Sequence, residues 1–336
     1  MTISNLESRF VGCVIGQCLG DALGLQVEGK DGAECGRYVE DHMSRWFGGE
    51  LPPTAEWSGQ YTDDSQLARE LLDSLVRNNG WVPEDYAERI GSIFRSDKIV
   101  GRGIACDQAA RQLNAGVSWK KSGVAPPSAG NGTAMRVAPV GLYYHDRLQE
   151  MVRVAYEQGW ITHHDPRCAV GSIAIAGAVA LVISDQLDDP SGFVGQLADW
   201  TSDYDEEFSE LLRNLPKWVE LNPLDAVGII ATAGKPDDHI DGWPGISPFV
   251  VPSVLWSLYS FLRHPNSYLK AVSTAIAVGG DVDTTAAMTG ALSGAHLGIK
   301  GLPNHLPKLL QDQGEWKYAD LVRLATLCYS QVCRGE

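Results

Sequence analysis

The strongest constraint on this chain is the run Gly279-Gly280-Asp281-Val282-Asp283-Thr284-Thr285 near its C-terminal end. Two carboxylates and a hydroxyl stand close together there, behind a glycine pair and ahead of the small apolar stretch from Ala286 to Leu292. No breaker intervenes before Gly290 and the apolar residues recur at helical spacing, so the pattern predicts a buried helix starting near Asp283. The glycines let the backbone turn sharply and come close to whatever the carboxylates hold. Capping and the helix dipole account for acids at a helix start. Like charges two residues apart nevertheless call for something positive between them, and a hard cation bound through oxygen is the simplest candidate. By letter the run also fits DxDxT, the motif of haloacid-dehalogenase phosphatases. That motif ends an early strand of a doubly wound α/β domain; here most of the chain precedes it, which excludes the match.

A second acid cluster lies far upstream. Tyr61-Thr62-Asp63-Asp64-Ser65 precedes Leu67, Leu71, Leu72 and Leu75, which mark one face of a helix with Thr62 or Asp63 as its N-cap. Capping explains one of these aspartates, but not both together with the threonine hydroxyl. Before this cluster, residues 7–27 read as a central buried helix in which Gly12, Gly16, Gly20 and Gly24 let another helix approach closely, and Glu28 ends the apolar run. Residues 29–60 read as loop.

Further helices are predicted over 84–95, 104–115, roughly 133–144, 250–263 and 266–277, with two more closing the chain. The loop from Lys120 delivers Gly130-Asn131-Gly132-Thr133-Ala134-Met135-Arg136 onto the 133–144 helix, an arrangement that can present backbone N–H groups to a phosphate. His163 and His164 precede Asp165-Pro166, and the uncharged stretch Ala169–Ile183 reads as a core helix too short to span a bilayer comfortably. Residues 185–210 read as an acidic outer face, and 234–248 as a polar loop able to cover a site. No alternating strand pattern, regular repeat or linker interrupts the series. The expected fold is all-α, one multi-helix domain over 1–336.

Composition narrows the function. Lys and Arg total 27 against 42 Asp and Glu, a formal charge of −15, which argues against nucleic acid or an anionic membrane as partner. Seven cysteines include no CxxC pair and there is no charged-then-apolar leader, so a reducing, cytoplasmic setting is expected.

Taken together these pieces resemble the ADP-ribosylglycohydrolase family, which includes the dinitrogenase-reductase-activating glycohydrolase. The resemblance runs in order through nearly the whole chain: GDALG with its trailing Glu28, the Thr62-Asp63-Asp64 cluster, the Gly130–Pro139 segment, Thr162-His163, and GGDVDTT followed by GALSGAHLG. It implies an all-α fold holding two divalent cations, Mg2+ or Mn2+, on Thr62, Asp63, Asp64, Asp281, Asp283 and Thr284. That all-oxygen set suits hard cations. It further implies Glu28, Asp63 and Asp283 as catalytic residues, with Asn131, Gly132, Thr133, Met135 and His163 around the ligand. The implied reaction is hydrolysis of the glycosidic bond between ADP-ribose and an acceptor: arginine on a protein first, then serine, acetyl or poly-ADP-ribose linkages or a small ADP-ribosylated conjugate. The alternatives are a binder of ADP-ribose without activity and a phosphohydrolase acting on the diphosphate. Two departures stand out. Ser65 replaces the last threonine of TDDT, and Ile99-Val100-Gly101 stands where many members carry Asp-Ile-Gly, with Asp97 nearby but out of register.

Overall fold

The computed structural model describes residues 5–187, 189–236 and 242–333. Among them every regular element is a helix, and the only β pairings are isolated bridges. The first half contains α1 (Asn5–Gly24), α2 (Gly32–Tyr38), α3 (Ser44–Phe47), α4 (Asp63–Asn78), α5 (Pro83–Arg95), α6 (Ile104–Asn114), α7 (Ala138–Tyr143) and α8 (Leu148–Trp160). The second half adds α9 (Pro166–Ile183), α10 (Pro190–Thr201), α11 (Glu206–Arg213), α12 (Leu215–Val219) and α13 (Pro223–Ile230). The chain then forms α14 (Val250–Arg263), α15 (Tyr268–Ile276), α16 (Val282–Leu297) and α17 (Tyr318–Val332).

The centre of the fold is an antiparallel seam between α1 and α16. The four-residue glycine spacing does what it suggested: a Cβ on Gly12 would stand 2.2 Å from the Gly294 carbonyl oxygen, one on Gly16 2.3 Å from that of Gly290, and one on Gly20 2.1 Å from that of Ala286. At the end of the seam a Cβ on Gly24 would meet the Cα of Asp283 at 2.4 Å. No real side chain tolerates such separations, so the two backbones are in contact along their length. This brings the last turn of α1 against the first turn of α16. The helices Asn5–Gly24 and Pro166–Ile183 are long and apolar enough to resemble membrane spans, but both are packed in the interior.

Helix α4 joins the seam end-on. Its leucines are buried, Thr62 caps it as expected, and Asn79 in the left-handed conformation (φ 51°) closes it. Just before α16, Gly279 and Gly280 have φ of 80° and 98° and thread between two other segments. Gly29 N donates to the Gly280 carbonyl at 2.9 Å, Gly280 N to that of Lys30 at 3.0 Å, and Asp281 N to that of Ile246 at 2.7 Å. A Cβ on Gly280 would lie 2.0 Å from the Ile246 oxygen, so only glycine fits.

Three readings differ from expectation. Residues 29–60, read as loop, contain α2, a π-helical turn Val39–Met43 and α3. The 133–144 helix is replaced by a 3-10 turn, Asn131–Thr133, with α7 starting at Ala138; Pro139, which lacks an N–H, suits the first turn of a helix and not its middle. One helix, α17, closes the chain instead of two. The residues before it form the short 3-10 turns Ile299–Gly301 and Leu306–Leu309, interrupted by Pro303 and Pro307. Of the 234–248 loop, residues 237–241 lie outside the described residues.

Candidate active site

The two acid clusters, more than two hundred residues apart in sequence, meet. The first turns of α4 and α16, with Glu28 just beyond the end of α1, open onto one cavity of about 350 Å³. Its lining includes Glu28, Asp63, Asp64, Asn131, Gly132, Met135, His163, Asp281, Asp283 and Thr284. All of these were singled out from sequence.

The carboxylates form two groups. One oxygen from each of Asp21, Asp64 and Asp283 lies within 4.8 Å of the others, and the same holds for Glu28, Asp281 and Asp283. Asp283 belongs to both groups and so sits between them. Capping does not use up these side chains. Asp281 is the N-cap residue of α16, yet its carboxylate accepts no N–H from that helix. It accepts from the Asn131 amide at 2.5 Å. Asp64 Oδ2 accepts from the Thr62 hydroxyl at 2.8 Å, and Asp64 Oδ1 is buried with no hydrogen-bond partner. A buried carboxylate oxygen left unsatisfied is costly unless something positive meets it.

Electrostatics give the same answer. Asp63, Asp64 and Asp283 are pushed well above the usual carboxylate range by burial first and then by neighbouring carboxylates, Asp21 and Asp281 among them in each case. Burial also raises Asp281. Glu28 remains accessible at the rim, and the protein crowded around its carboxyl, followed by the Asp281 charge, raises it too. Such a crowd of oxygen donors fits hard divalent cations, and nothing in it favours a soft metal.

Asp21 was missed from sequence. It is fully buried, accepts Thr62 N at 2.9 Å and Ser65 N at 3.1 Å, and thereby caps α4 from the end of α1. Burial raises it to about 7. The available signal was its place inside GDALG, one helical turn before Gly24 on the glycine seam.

Several expected roles are displaced. Thr133 does not reach the cavity: its hydroxyl donates to the Cys168 carbonyl at 2.8 Å, and the residue is fully buried. Asp63 lines the cavity but joins neither carboxylate group, and it accepts weakly from Gly103 N at 3.4 Å. Both amide protons of Asn131 are spent on protein, one on Asp281 and one on Ser253 Oγ at 2.9 Å, so the side chain orients a carboxylate. Asp97 faces solvent and pairs with Arg102. Another part of the lining, Gly101 to Cys106 with Ser128, was not read as part of a site, whereas Trp243 and Pro248 belong to the 234–248 loop expected to cover one.

An all-helical fold whose helix starts converge acids on one cavity makes a centre that could hold metal ions. The chain matches the ADP-ribosylglycohydrolase family over residues 2–333, and it belongs to that family. It is 29% identical to an uncharacterized protein of Archaeoglobus fulgidus, covering 86% of this chain and 88% of that one. It is 27% identical to the ADP-ribosylhydrolase ARH3 of Gallus gallus (88% and 87% covered) and 23% identical to the ADP-ribosylarginine hydrolase Tri1 of Pseudomonas putida (93% and 79%). A solved structure described as an ADP-ribosylglycohydrolase-related protein complex superposes with a TM-score of 0.69 at 21% identity, covering 97% of this chain and 99% of that one. Family and relatives together indicate an ADP-ribosyl hydrolase.

Proposed function

We propose that this chain is a metal-dependent hydrolase that cleaves the bond between ADP-ribose and the side chain of an arginine on a protein. The observation that carries the reading is the pair of carboxylate groups sharing Asp283 on one wall of the cavity. Bound Mg2+ or Mn2+ would supply Lewis acidity and fixed positive charge to ribose hydroxyls and to a water molecule. Asp64, Asp281 and Asp283 hold that charge in place, flanked by Thr62 and Thr284, while Asp21 and Asn131 fix the angles of the carboxylates. Departure of the acceptor builds oxocarbenium-like charge on the distal ribose, which the carboxylate wall stabilises. Glu28, accessible at the rim beside Asp281 and Asp283, is the group in position to move a proton to the departing atom or from the attacking water.

One consideration favours arginine: one relative carries arginine in its name. Every functional element is drawn from a different part of the chain, so residues 1–336 would act as one domain. Seven free thiols suit a reducing, cytoplasmic setting. The test is a panel of arginine-, serine- and acetyl-linked ADP-ribose with added Mg2+ or Mn2+, read by release of ADP-ribose. Fastest release from the arginine adduct is expected. Cleavage of the oxygen-linked adducts alone would overturn the arginine assignment, and binding without release from any adduct would overturn the enzyme.

A further inference from the structure

Arg136 is fully buried, and no carboxylate among the described residues pairs with it. Buried guanidinium groups ordinarily find an acid, so the use of its donors is informative. Nε donates to Gln158 Oε1 at 2.8 Å. Nη2 donates to the Gln158 carbonyl at 2.8 Å and to the Thr162 hydroxyl at 2.9 Å, and Nη1 points to Cys106 Sγ at 3.6 Å. The guanidinium carbon lies 5.6 Å from the centre of the Tyr86 ring. Gln158 is itself anchored to the Thr133 carbonyl at 3.1 Å and to Ser172 Oγ at 2.6 Å. The guanidinium therefore has a single orientation.

That orientation decides a proton on His163. A guanidinium only donates, so Thr162 Oγ1 accepts from it and has one proton of its own to place. Three acceptors are in reach: His163 Nδ1 at 2.8 Å, the Gly159 carbonyl at 3.4 Å and the Cys106 sulfur. The first is a normal O–H hydrogen bond, the carbonyl is too far and a thiol sulfur is a weak acceptor, so Nδ1 is the acceptor. Burial first, and the Arg136 charge second, lower His163 to about 3, which leaves the ring neutral. A neutral imidazole with an accepting Nδ1 carries its proton on Nε2. That nitrogen lies on the edge turned to Gly130, where a Cβ would approach it to 3.4 Å, and both residues line the cavity.

We propose that an Arg136–Thr162 relay fixes His163 as the Nε2–H tautomer, a neutral hydrogen-bond donor aimed at an acceptor oxygen of the bound ligand. Taking that oxygen from the diphosphate of ADP-ribose rests on the function proposed above. Neutrality matters here because a cationic ring in the same cavity would compete with metal ions for the carboxylates opposite. Arg136 and Thr162 are positioning residues, acting on the ligand only through His163.

The test is the side-chain 15N spectrum of histidine-labelled protein, with the His163 resonances assigned by their loss in His163→Gln. Expected are a protonated Nε2 and a bare Nδ1, unchanged between about pH 5 and about pH 8. Thr162→Val keeps the shape and removes the hydroxyl; it should mix the tautomers and weaken ADP-ribose binding roughly tenfold, with Thr162→Ser restoring both. A merely structural role would lower Tm and leave the tautomer alone. A proton on Nδ1 in the wild-type protein, or an unchanged tautomer in Thr162→Val, overturns the relay, and the wild-type spectrum decides even if the valine variant does not fold. Failure of ADP-ribose to bind a protein with the expected tautomer would remove the functional reading and leave the relay standing.

Discussion

The two walls of the cavity are built in opposite ways. One is made of helix ends: the last turn of α1 and the first turns of α4 and α16, locked by backbone-to-backbone contact along a glycine seam. The other is made largely of connecting segments, Gly101–Cys106, Ser128–Gly132 and Trp243–Pro248, held by hydrogen bonds such as Asn131 N to the Pro248 carbonyl at 2.9 Å and Asp281 N to the Ile246 carbonyl at 2.7 Å. The first carries nearly all the charge and tolerates no displacement. The second carries glycines, Ile104, Cys106 and one arginine. On the function proposed above, the helix-end wall would do the chemistry and the loop wall would choose the acceptor, as when a rigid scaffold presents variable loops.

The largest effect that could break this division is loss of the shared carboxylate. Asp283→Asn should lower metal-dependent turnover by roughly a thousandfold. The same variant should melt higher than wild type in EDTA at alkaline pH, because one charge is removed from a repelling cluster. Wild-type turnover in Asp283→Asn would show that the helix-end wall is not where the chemistry lies. Next comes the seam. Gly20→Val forces a branched side chain against the Ala286 carbonyl, and overpacking between two backbones should cost about 3 kcal/mol, roughly 4 °C in Tm. A variant as stable as wild type would mean that the helices slide freely, and the wall is not rigid.

The third test is pH. Burial raises Asp21 from 3.8 to about 7 and holds Asp63, Asp64 and Asp283 well above the usual range. A carboxyl raised in the folded state contributes stability that is full below its unfolded pKa and is lost as pH rises through the folded value. His163, lowered from 6.5, is neutral in both folded and unfolded protein above that pH and drops out of the comparison. EDTA-treated protein should therefore lose Tm as pH rises from about 6.5 through about 7, the folded value of Asp21, and millimolar Mg2+ should cancel the loss. The smallest effect belongs to the loop wall. Arg102→Ala breaks exposed pairs with Asp97 and Asp107, each worth at most about 1 kcal/mol. It should move KM by no more than about fivefold and leave kcat unchanged.

The same contrast explains what could be read from sequence. Helix starts announce themselves through capping residues and apolar spacing, so Thr62, Asp63, Asp64, Asp281 and Asp283 were visible, and the glycine spacing of α1 pointed to a close helix partner. Asp21 was not, because its partners are the backbone amides of Thr62 and Ser65, 41 and 44 residues on, and its one local signal was its place inside GDALG. Thr133 was assigned to the ligand because its neighbours in sequence face the cavity. The 3-10 turn instead rotates it onto Cys168. The Gly101–Cys106 wall has no chemical residue pattern at all, and only the packing of Gly101 against Asp63 reveals it.

The most direct measurement is anomalous diffraction from crystals grown with Mn2+. Two manganese peaks between the starts of α4 and α16, both within bonding distance of Asp283, are the expected result. Full density for the carboxylates with no manganese among them, in crystals of protein that hydrolyses its substrate, would contradict the account.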